Sequence, residues 1–413
     1  MAATADVETV VVGAGPAGVA AALTLHRAGH GVLLVDKATF PRDKTCGDGL
    51  TTLALRELDA LGLDPAHVGS WTPVHRTLLH SPSGRIVTLP LPDGPGTYAA
   101  IARRLDLDAA LVALAEAEGV RVEQGVTLTE ATSHADRIEL DLGRLGVVTA
   151  RWTVGADGMW SPLRRALGID GLGYRGEWHA FRQYFRGTGP EARDLHVWFE
   201  PDLVPGYVWS FPLGDGATNV GFGVLRGARL DGKALARLWP QLLERPTIRR
   251  VLGADAEPES PHRAWPIPAG IRGATLSRGR ALFVGDAARA PDVLTGEGIG
   301  QALVTGRLAA ATLIGDGRSD MEQTAVAARY SAAVHEELSA DHRMASILTT
   351  VMSNRTRAEL AIRTVGLTEW NRRNFGRWLF EDSPRGIALM PRRWHRGALS
   401  GPPAFLRATT QHN

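Results

Sequence analysis

The sequence predicts an α/β fold in which a parallel sheet wound with helices carries an inserted antiparallel sheet and a helical C-terminal cap. Three observations predict it. A short β-branched run at Val10–Val12 and an apolar run at Val32–Val35 flank a small-residue, helix-like run, which is the pattern of buried parallel strands joined by a crossover helix. Between Trp178 and Val224 the pattern changes to aromatic-rich alternating stretches. From Thr324 onward the chain reads as mostly helical.

The first run is the most informative. Gly13-Ala14-Gly15-Pro16-Ala17-Gly18 follows the strand, a helix is expected from Ala17 to about Ala28, and Asp36 ends the next strand 18 residues past Gly18. Gly13 permits a tight turn, Gly15 lets the backbone approach a pyrophosphate, and Gly18 lets helix and strand pack closely. The helix N-terminus offers N–H groups and partial positive charge to phosphates, and Asp36 can accept a hydrogen bond from a ribose hydroxyl. A GxGxxG alone is a weak signal. In this register it predicts a Rossmann-type dinucleotide site.

Bulk properties narrow the classes. At 413 residues the chain has room for two to three domains, and 44% hydrophobic with 22% charged residues is an ordinary globular composition. A net charge of +2 gives no reason to expect nucleic acid as a partner. Lys37, Lys44 and Lys233 are the only lysines, and Cys46 is the only cysteine, so neither a disulfide framework nor a zinc cluster is expected and no metal site is proposed. No basic and apolar leader precedes the first strand, and no apolar run approaches the ~20 residues of a membrane span. A cytoplasmic location is therefore expected, with peripheral membrane contact left open.

Phe40-Pro41-Arg42-Asp43-Lys44-Thr45-Cys46-Gly47-Asp48-Gly49 reads as a loop before a helix over Leu50–Leu61. Cys46 is either a small packed side chain or a thiol near a bound ring. Residues 71–98 read as a β insertion, Ala102–Glu118 as a helix, and Val120–Val126, Arg137–Leu142 and Val147–Val154 as strands. Gly155-Ala156-Asp157-Gly158 ends the last of these, and Ser161-Pro162 opens a helix as N-cap and N1. The acid and glycines there fit a second cofactor contact or a plain turn. Tyr207, Trp209 and Phe211 alternate with Val208 and Ser210, so one strand face carries three rings. That face is a domain core or the wall of an apolar pocket. A strand over Ala281–Val284 ends in Gly285-Asp286, and Gly296-Glu297-Gly298-Ile299-Gly300 leads into a helix over Gln301–Ile314. A second helix N-terminus thus serves a large cofactor with a fused ring beyond its adenosine end, and its partial charge suits a nearby anion. Trp370, Arg372, Arg373, Phe375, Arg377, Trp378, Phe380, Arg385, Arg392, Arg393, Trp394 and Arg396 interleave aromatic and basic types. A helical cap with solvated or paired arginines is the favoured reading, and a membrane-interface segment the other.

Taken together, these stretches resemble the geranylgeranyl reductase family of FAD-dependent oxidoreductases, within the aromatic-hydroxylase-like flavoproteins. GAGPAG, FPRDKTCGDGL, GADG and GDAA with GEGIG carry the match, and YVWSFP followed by GFG (Tyr207 to Gly223) looks like the family's substrate-pocket signature. Arg289, after GDAA, departs from the pattern by its bulk. The resemblance covers about residues 7 to 314. It implies a discontinuous FAD-binding domain (residues 1–70, 99–175 and 270–320), a substrate-binding sheet domain (71–98 and 176–269) and a C-terminal helical region (321–413). It implies cofactor contacts from Gly13 to Gly18, from Asp36 and Lys37, and from Cys46 and Gly47. Further cofactor contacts fall on Arg104 at the pyrophosphate, Asp157, Gly285, Asp286 at the ribityl chain, Gly296, Gly298 and Ile299. Cys46 would face the flavin as the catalytic candidate, and Tyr207, Trp209 and Phe211 would line a prenyl slot. The implied reaction is reduction of an isoprenoid C=C bond by hydride from reduced FAD, on a prenyl lipid, prenyl diphosphate or prenylated quinone. NADPH or a reduced partner protein would donate electrons, since there is no second complete dinucleotide fingerprint. The alternatives are an aromatic-ring monooxygenase of the same fold and, further off, a flavin-dependent halogenase. The halogenase needs an active-site lysine, and none of the three is expected near the ring.

Overall fold

The computed structural model describes residues 7–91, 97–169, 173–214, 216–227, 232–315, 322–382 and 386. Strand β1 (Val7–Val12), helix α1 (Pro16–Arg27) and β2 (Val32–Asp36) form the expected crossover unit. Helix α2 (Thr52–Ala60) is followed by a hairpin, β3 (Arg76–His80) and β4 (Ile86–Pro90). Helix α3 (Arg104–Ala117) leads to β5 (Arg121–Gln124), β6 (Glu130–Ser133), β7 (Ile138–Asp141) and β8 (Val147–Gly155), then α4 (Pro162–Ala166). Next come β9 (Trp178–Arg186), β10 (Leu195–Trp198), β11 (Tyr207–Gly214) and β12 (Ala217–Leu225). Helices α5 (Gly232–Leu243) and α6 (Pro246–Leu252), β13 (Arg263–Ile267) and β14 (Ala281–Phe283) follow. The chain continues through α7 (Ile299–Gly315), α8 (Gln323–Met352), α9 (Arg355–Gly366) and α10 (Glu369–Leu379).

The first sheet runs β14-β8-β1-β2-β5, all parallel, with β7 and β6 as an antiparallel arm on β8. Val10, Val11, Leu34 and Val154 are fully buried in it, as continuous apolar runs require when helices cover both faces. Helix α1 packs on α7 through small residues: a Cβ on Gly306 would come within 3.0 Å of the Ala17 carbonyl carbon. Ser161 caps α4 by accepting from the Arg164 N–H at 3.0 Å, as its position before Pro162 predicts.

The second sheet is ordered β9-β12-β11-β10-β3-β4, with β13 on the outer edge of β9. The insertion at 71–98 thus joins the aromatic strands. Its pairing differs from the all-antiparallel expectation, because β10 runs parallel to β3. Helices α5 and α6, which the sequence reading did not assign, cover the far face with Leu242, Ile248 and Val251. The near face looks toward the cofactor half and α8–α10.

Candidate functional site

Gly13 adopts φ +105°, and a Cβ there would lie 2.6 Å from the Ala156 carbonyl carbon. At Gly18 a Cβ would lie 2.9 Å from the Gly13 carbonyl carbon. Both positions therefore exclude any other residue without movement of backbone. Asp36 is 8% exposed, and its two oxygens accept from the Ala14 N–H at 2.7 Å and the Ala38 N–H at 2.8 Å. The acid thus orders the glycine turn as well as standing at the end of its strand. Gly15 faces guanidinium groups: a Cβ there would meet Arg42 at 3.7 Å and Arg104 at 4.0 Å. Buried Asp108 holds both, Arg104 by two 2.7 Å bonds and Arg42 at 3.0 Å. One buried carboxylate for two cations leaves positive charge where backbone N–H groups are exposed, which suits a pyrophosphate. Arg42 was not among the predicted contacts, although it sits in the loop the sequence singled out. Asp36→Ala is expected to weaken FAD binding by about 1–3 kcal/mol, because it unmakes the Ala14 bond and removes a buried acceptor. Titration of apoprotein with FAD measures this, and unchanged affinity would take Asp36 out of the site.

The other half of the cradle comes from β8, β14 and α7. Asp157 accepts from the Leu163 N–H at 2.9 Å, while its second oxygen is buried with no partner among the described residues. Burial pushes this carboxyl up to about 6 against the bonds from Ser161 and Leu163. Gly285, at φ +58°, donates its N–H to the Thr305 hydroxyl at 2.9 Å. Asp286 pairs with Lys44 at 2.9 Å. Lys37, one of the expected contacts, and Lys44 both line the cavity. Arg289, in left-handed conformation, lays its guanidinium 3.6 Å from the Tyr174 ring centroid, and it is not among the cavity's lining residues. The α7 N-terminus also differs from expectation. Glu297 accepts from the N–H groups of Ile299 at 2.8 Å and Gly300 at 3.1 Å, so a carboxyl of the chain itself caps the helix. Burial foremost, with Glu381 adding negative charge, pushes Glu297 well above the usual carboxyl range.

One cavity of ≈ 570 Å³ runs from Gly13, Gly15 and Asp36 past Arg42, Arg104, Asp157 and Asp286 to Gly296 and Gly298. A glycine turn at a helix N-terminus, an acid at the end of the next strand, two guanidiniums on one carboxylate and a buried carboxyl oxygen with no partner among the described residues together fit FAD.

The cavity continues over the Cys46 loop. Asp48, at φ +65° and fully buried, accepts from the Arg104 N–H at 3.3 Å, the Tyr184 hydroxyl at 2.7 Å and Asn219 Nδ2 at 2.8 Å. Asn219 Nδ2 also donates to the Cys46 carbonyl at 2.9 Å, and Asn219 Oδ1 accepts from Trp209 Nε1 at 3.0 Å. The aromatic strand and the Cys46 loop are therefore one hydrogen-bonded unit. Cys46 is half-buried at the cavity wall, and burial raises its thiol against the pull of Arg104, so it carries a proton at neutral pH.

Tyr207, Trp209 and Phe211 line the cavity with ring centroids 5.9 and 6.0 Å apart. Trp209 lies over Gly221: a Cβ there would stand 2.6 Å from Trp209 Cε2. That explains why an indole strand is followed by a strand with alternate glycines. The opposite wall, absent from the sequence reading, is the inner side of α8–α10 with Met352, Ile362, Val365, Phe375, Leu379 and Phe380. Phe375 and Phe380 line the cavity and Arg377 is buried against Asp382 at 3.0 Å, so these residues of the Arg- and aromatic-rich segment face inward, while Trp370 is exposed. Arg385, Arg392, Arg393, Trp394 and Arg396 lie outside the described residues.

Comparison with known proteins agrees with this geometry. Residues 6–334 match the model of the FAD binding domain family. Menaquinone reductase of Mycobacterium tuberculosis is 37% identical over 326 residues, covering 74% of this chain and 76% of that one. Digeranylgeranylglycerophospholipid reductase 2 of Methanopyrus kandleri is 33% identical, with 74% and 76% covered. In fold, the chain is similar to a geranylgeranyl bacteriochlorophyll reductase-like protein of Thermoplasma acidophilum (TM-score 0.77, 20% identity, 89% and 93% covered). It is also similar to the halogenase PltM in complex with phloroglucinol and FAD (TM-score 0.69, 18% identity, 91% and 83% covered). The chain belongs to the FAD binding domain family, as an FAD-dependent oxidoreductase of the geranylgeranyl reductase-like kind.

Proposed function

We propose that this protein reduces an isoprenoid C=C bond of a prenylated quinone or prenyl lipid. The observation that carries the reading is the continuity of the FAD cradle with an apolar slot between the aromatic strand β11 and helices α8–α10. The names of the relatives, which reduce menaquinone or a digeranylgeranyl phospholipid, support it. Bound as the reduced form, FAD supplies a hydride. The chain's own residues do the rest. Trp209, Tyr207 and Phe211 lie flat along a prenyl chain, and the helical wall excludes water. Asn219 and Asp48 fix the Cys46 loop, and Cys46 holds a proton at Sγ beside the slot. NADPH or a reduced partner protein supplies the electrons.

Under argon, pre-reduced holoprotein is expected to reoxidise on adding a prenylated quinone or lipid. NADPH-driven oxygen uptake stimulated by a phenol would instead favour the hydroxylase. Cys46→Ala is expected to slow single-turnover reoxidation by substrate about 10²-fold, the usual worth of a positioned proton donor. FAD content and melting temperature should be unchanged, and unaltered reoxidation would return Cys46 to a packing role.

The proposal extends to a peripheral membrane contact. None of the described helices is long and apolar enough to cross a membrane. Helices α9 and α10, whose inner sides wall the slot, carry exposed Leu360 (63%) and Trp370 (51%), with exposed Leu367 (67%) between them. Arg355, Arg357 and Arg363 on α9 are exposed as well. Flotation with vesicles containing anionic lipid should carry the protein upward, and a Leu360→Ser/Leu367→Ser variant should stay behind.

A further inference from the structure

The near face of the second sheet changes character from one edge to the other. Strand register places Arg263 beside Arg182, Arg182 beside Gly221, Gly221 beside Trp209, Trp209 beside Val197, and Val197 beside Leu79. The neighbouring row reads Trp265, Ala180, Gly223, Tyr207. The first row begins with donors on β13 and β9 and the second with one on β13; each crosses one glycine and meets a ring, and the first ends in aliphatic side chains under the helical wall. With strands about 4.8 Å apart, each row spans several isoprene lengths.

The donor end is under-satisfied. Arg182 is 1% exposed and borders the cavity, and its Nε is buried with no acceptor among the described residues. Its terminal nitrogen donates to Asp43 at 2.8 Å and to the Lys44 carbonyl at 3.3 Å, and its guanidinium lies 4.0 Å from the Tyr184 ring centroid. Arg263 pairs with the other oxygen of Asp43 at 3.1 Å, so two guanidiniums share one carboxylate. Trp265 Nε1 is also buried with no partner among the described residues, and Trp265 and Arg263 line the cavity. Buried donors left unpaired are costly, and a ligand acceptor entering between them recovers that cost.

We propose that Arg182, Arg263 and Trp265 form a headgroup subsite that takes the acceptor oxygens of an amphiphilic prenyl substrate, a phosphate or a quinone carbonyl. The tail then runs over Gly221 and Gly223, past Trp209 and toward Leu79. This inference rests on the reading of the cavity as a prenyl slot. It adds a fixed direction, head at β13 and tail under α8–α10, which decides which part of the chain passes the Cys46 loop.

The test uses holoprotein and three probes: menaquinone-4, a digeranylgeranyl glycerophosphate, and squalene as a headless polyprene. The variants are Arg263→Gln, at a half-exposed side chain, and Trp265→Phe, which removes the indole N–H while keeping an aromatic ring at the position. Binding is read from perturbation of the flavin absorbance. Both variants should raise the dissociation constant of headed probes about tenfold or more, with squalene binding unchanged. If only the glycerophosphate weakens, in a salt-dependent way, the head is a phosphate; if menaquinone-4 weakens too, the subsite takes a carbonyl. Equal weakening of squalene, or no weakening of either headed probe, overturns the subsite. Failure of all three probes to bind the parent protein would instead overturn the prenyl reading itself.

Discussion

Gly221→Ala is expected to lower the melting temperature sharply and to abolish prenyl turnover. The added Cβ would stand 2.6 Å from Trp209 Cε2, and closer still to Trp209 Cζ2 and to the Phe181 carbonyl oxygen of β9. The indole can move aside only by giving up its bond to Asn219, which holds the Cys46 carbonyl and Asp48. The Phe181 oxygen belongs to a central strand and cannot move. Overpacking of a core costs about 1–3 kcal/mol where side chains absorb it, and more where backbone must. Thermal melting with FAD quantitation measures the effect. A variant that melts and turns over like the parent would show that Trp209 does not lie across this glycine.

Gly18→Ala is expected to be at least as damaging, and its signature is loss of the yellow colour. A Cβ at Gly18 would be driven into the Gly13 carbonyl, 2.9 Å from its carbon and nearer its oxygen, and 3.2 Å from the Ala156 Cβ. The turn would have to open at the point where β1, α1 and β8 meet, and the exposed N–H groups would lose their aim. Gly315→Ala is the control, since nothing lies within 4 Å of its added Cβ. A Gly18→Ala protein purified with full FAD would refute the close approach.

The cofactor half was legible because its demands are local. Gly13, Gly15, Gly18 and Asp36 are fixed by turn geometry and by the length of one crossover, and all four appear in sequence order. Tyr207, Trp209 and Phe211 were placed on one face by alternation alone, but alternation could not say whether the face was core or wall. The structure shows why: Phe211 packs on Gly47 and Gly49 and Trp209 on Gly47, while all three rings border the cavity. What pattern reading missed is the pairing of individual side chains. Asp108 clamping Arg42 and Arg104, Asn219 bridging Trp209 to Cys46, and Glu297 capping α7 join residues through folding or through a side chain's turn back on its own helix. The helical wall escaped notice because Ile362, Val365, Phe375 and Leu379 read as ordinary inward positions of amphipathic helices. The pairing of Lys44 with Asp286 likewise joins residues 242 positions apart.

The most direct test of the prenyl-reductase account is a single turnover without oxygen. Holoprotein is reduced photochemically under argon, mixed with a prenylated quinone or a digeranylgeranyl lipid, and the extracted lipid is weighed by mass spectrometry. The account predicts reoxidation of the flavin together with a product that has gained two hydrogen atoms in its prenyl chain. Flavin that stays reduced with every prenyl compound, yet reoxidises with oxygen to hydroxylate a phenol, would contradict it.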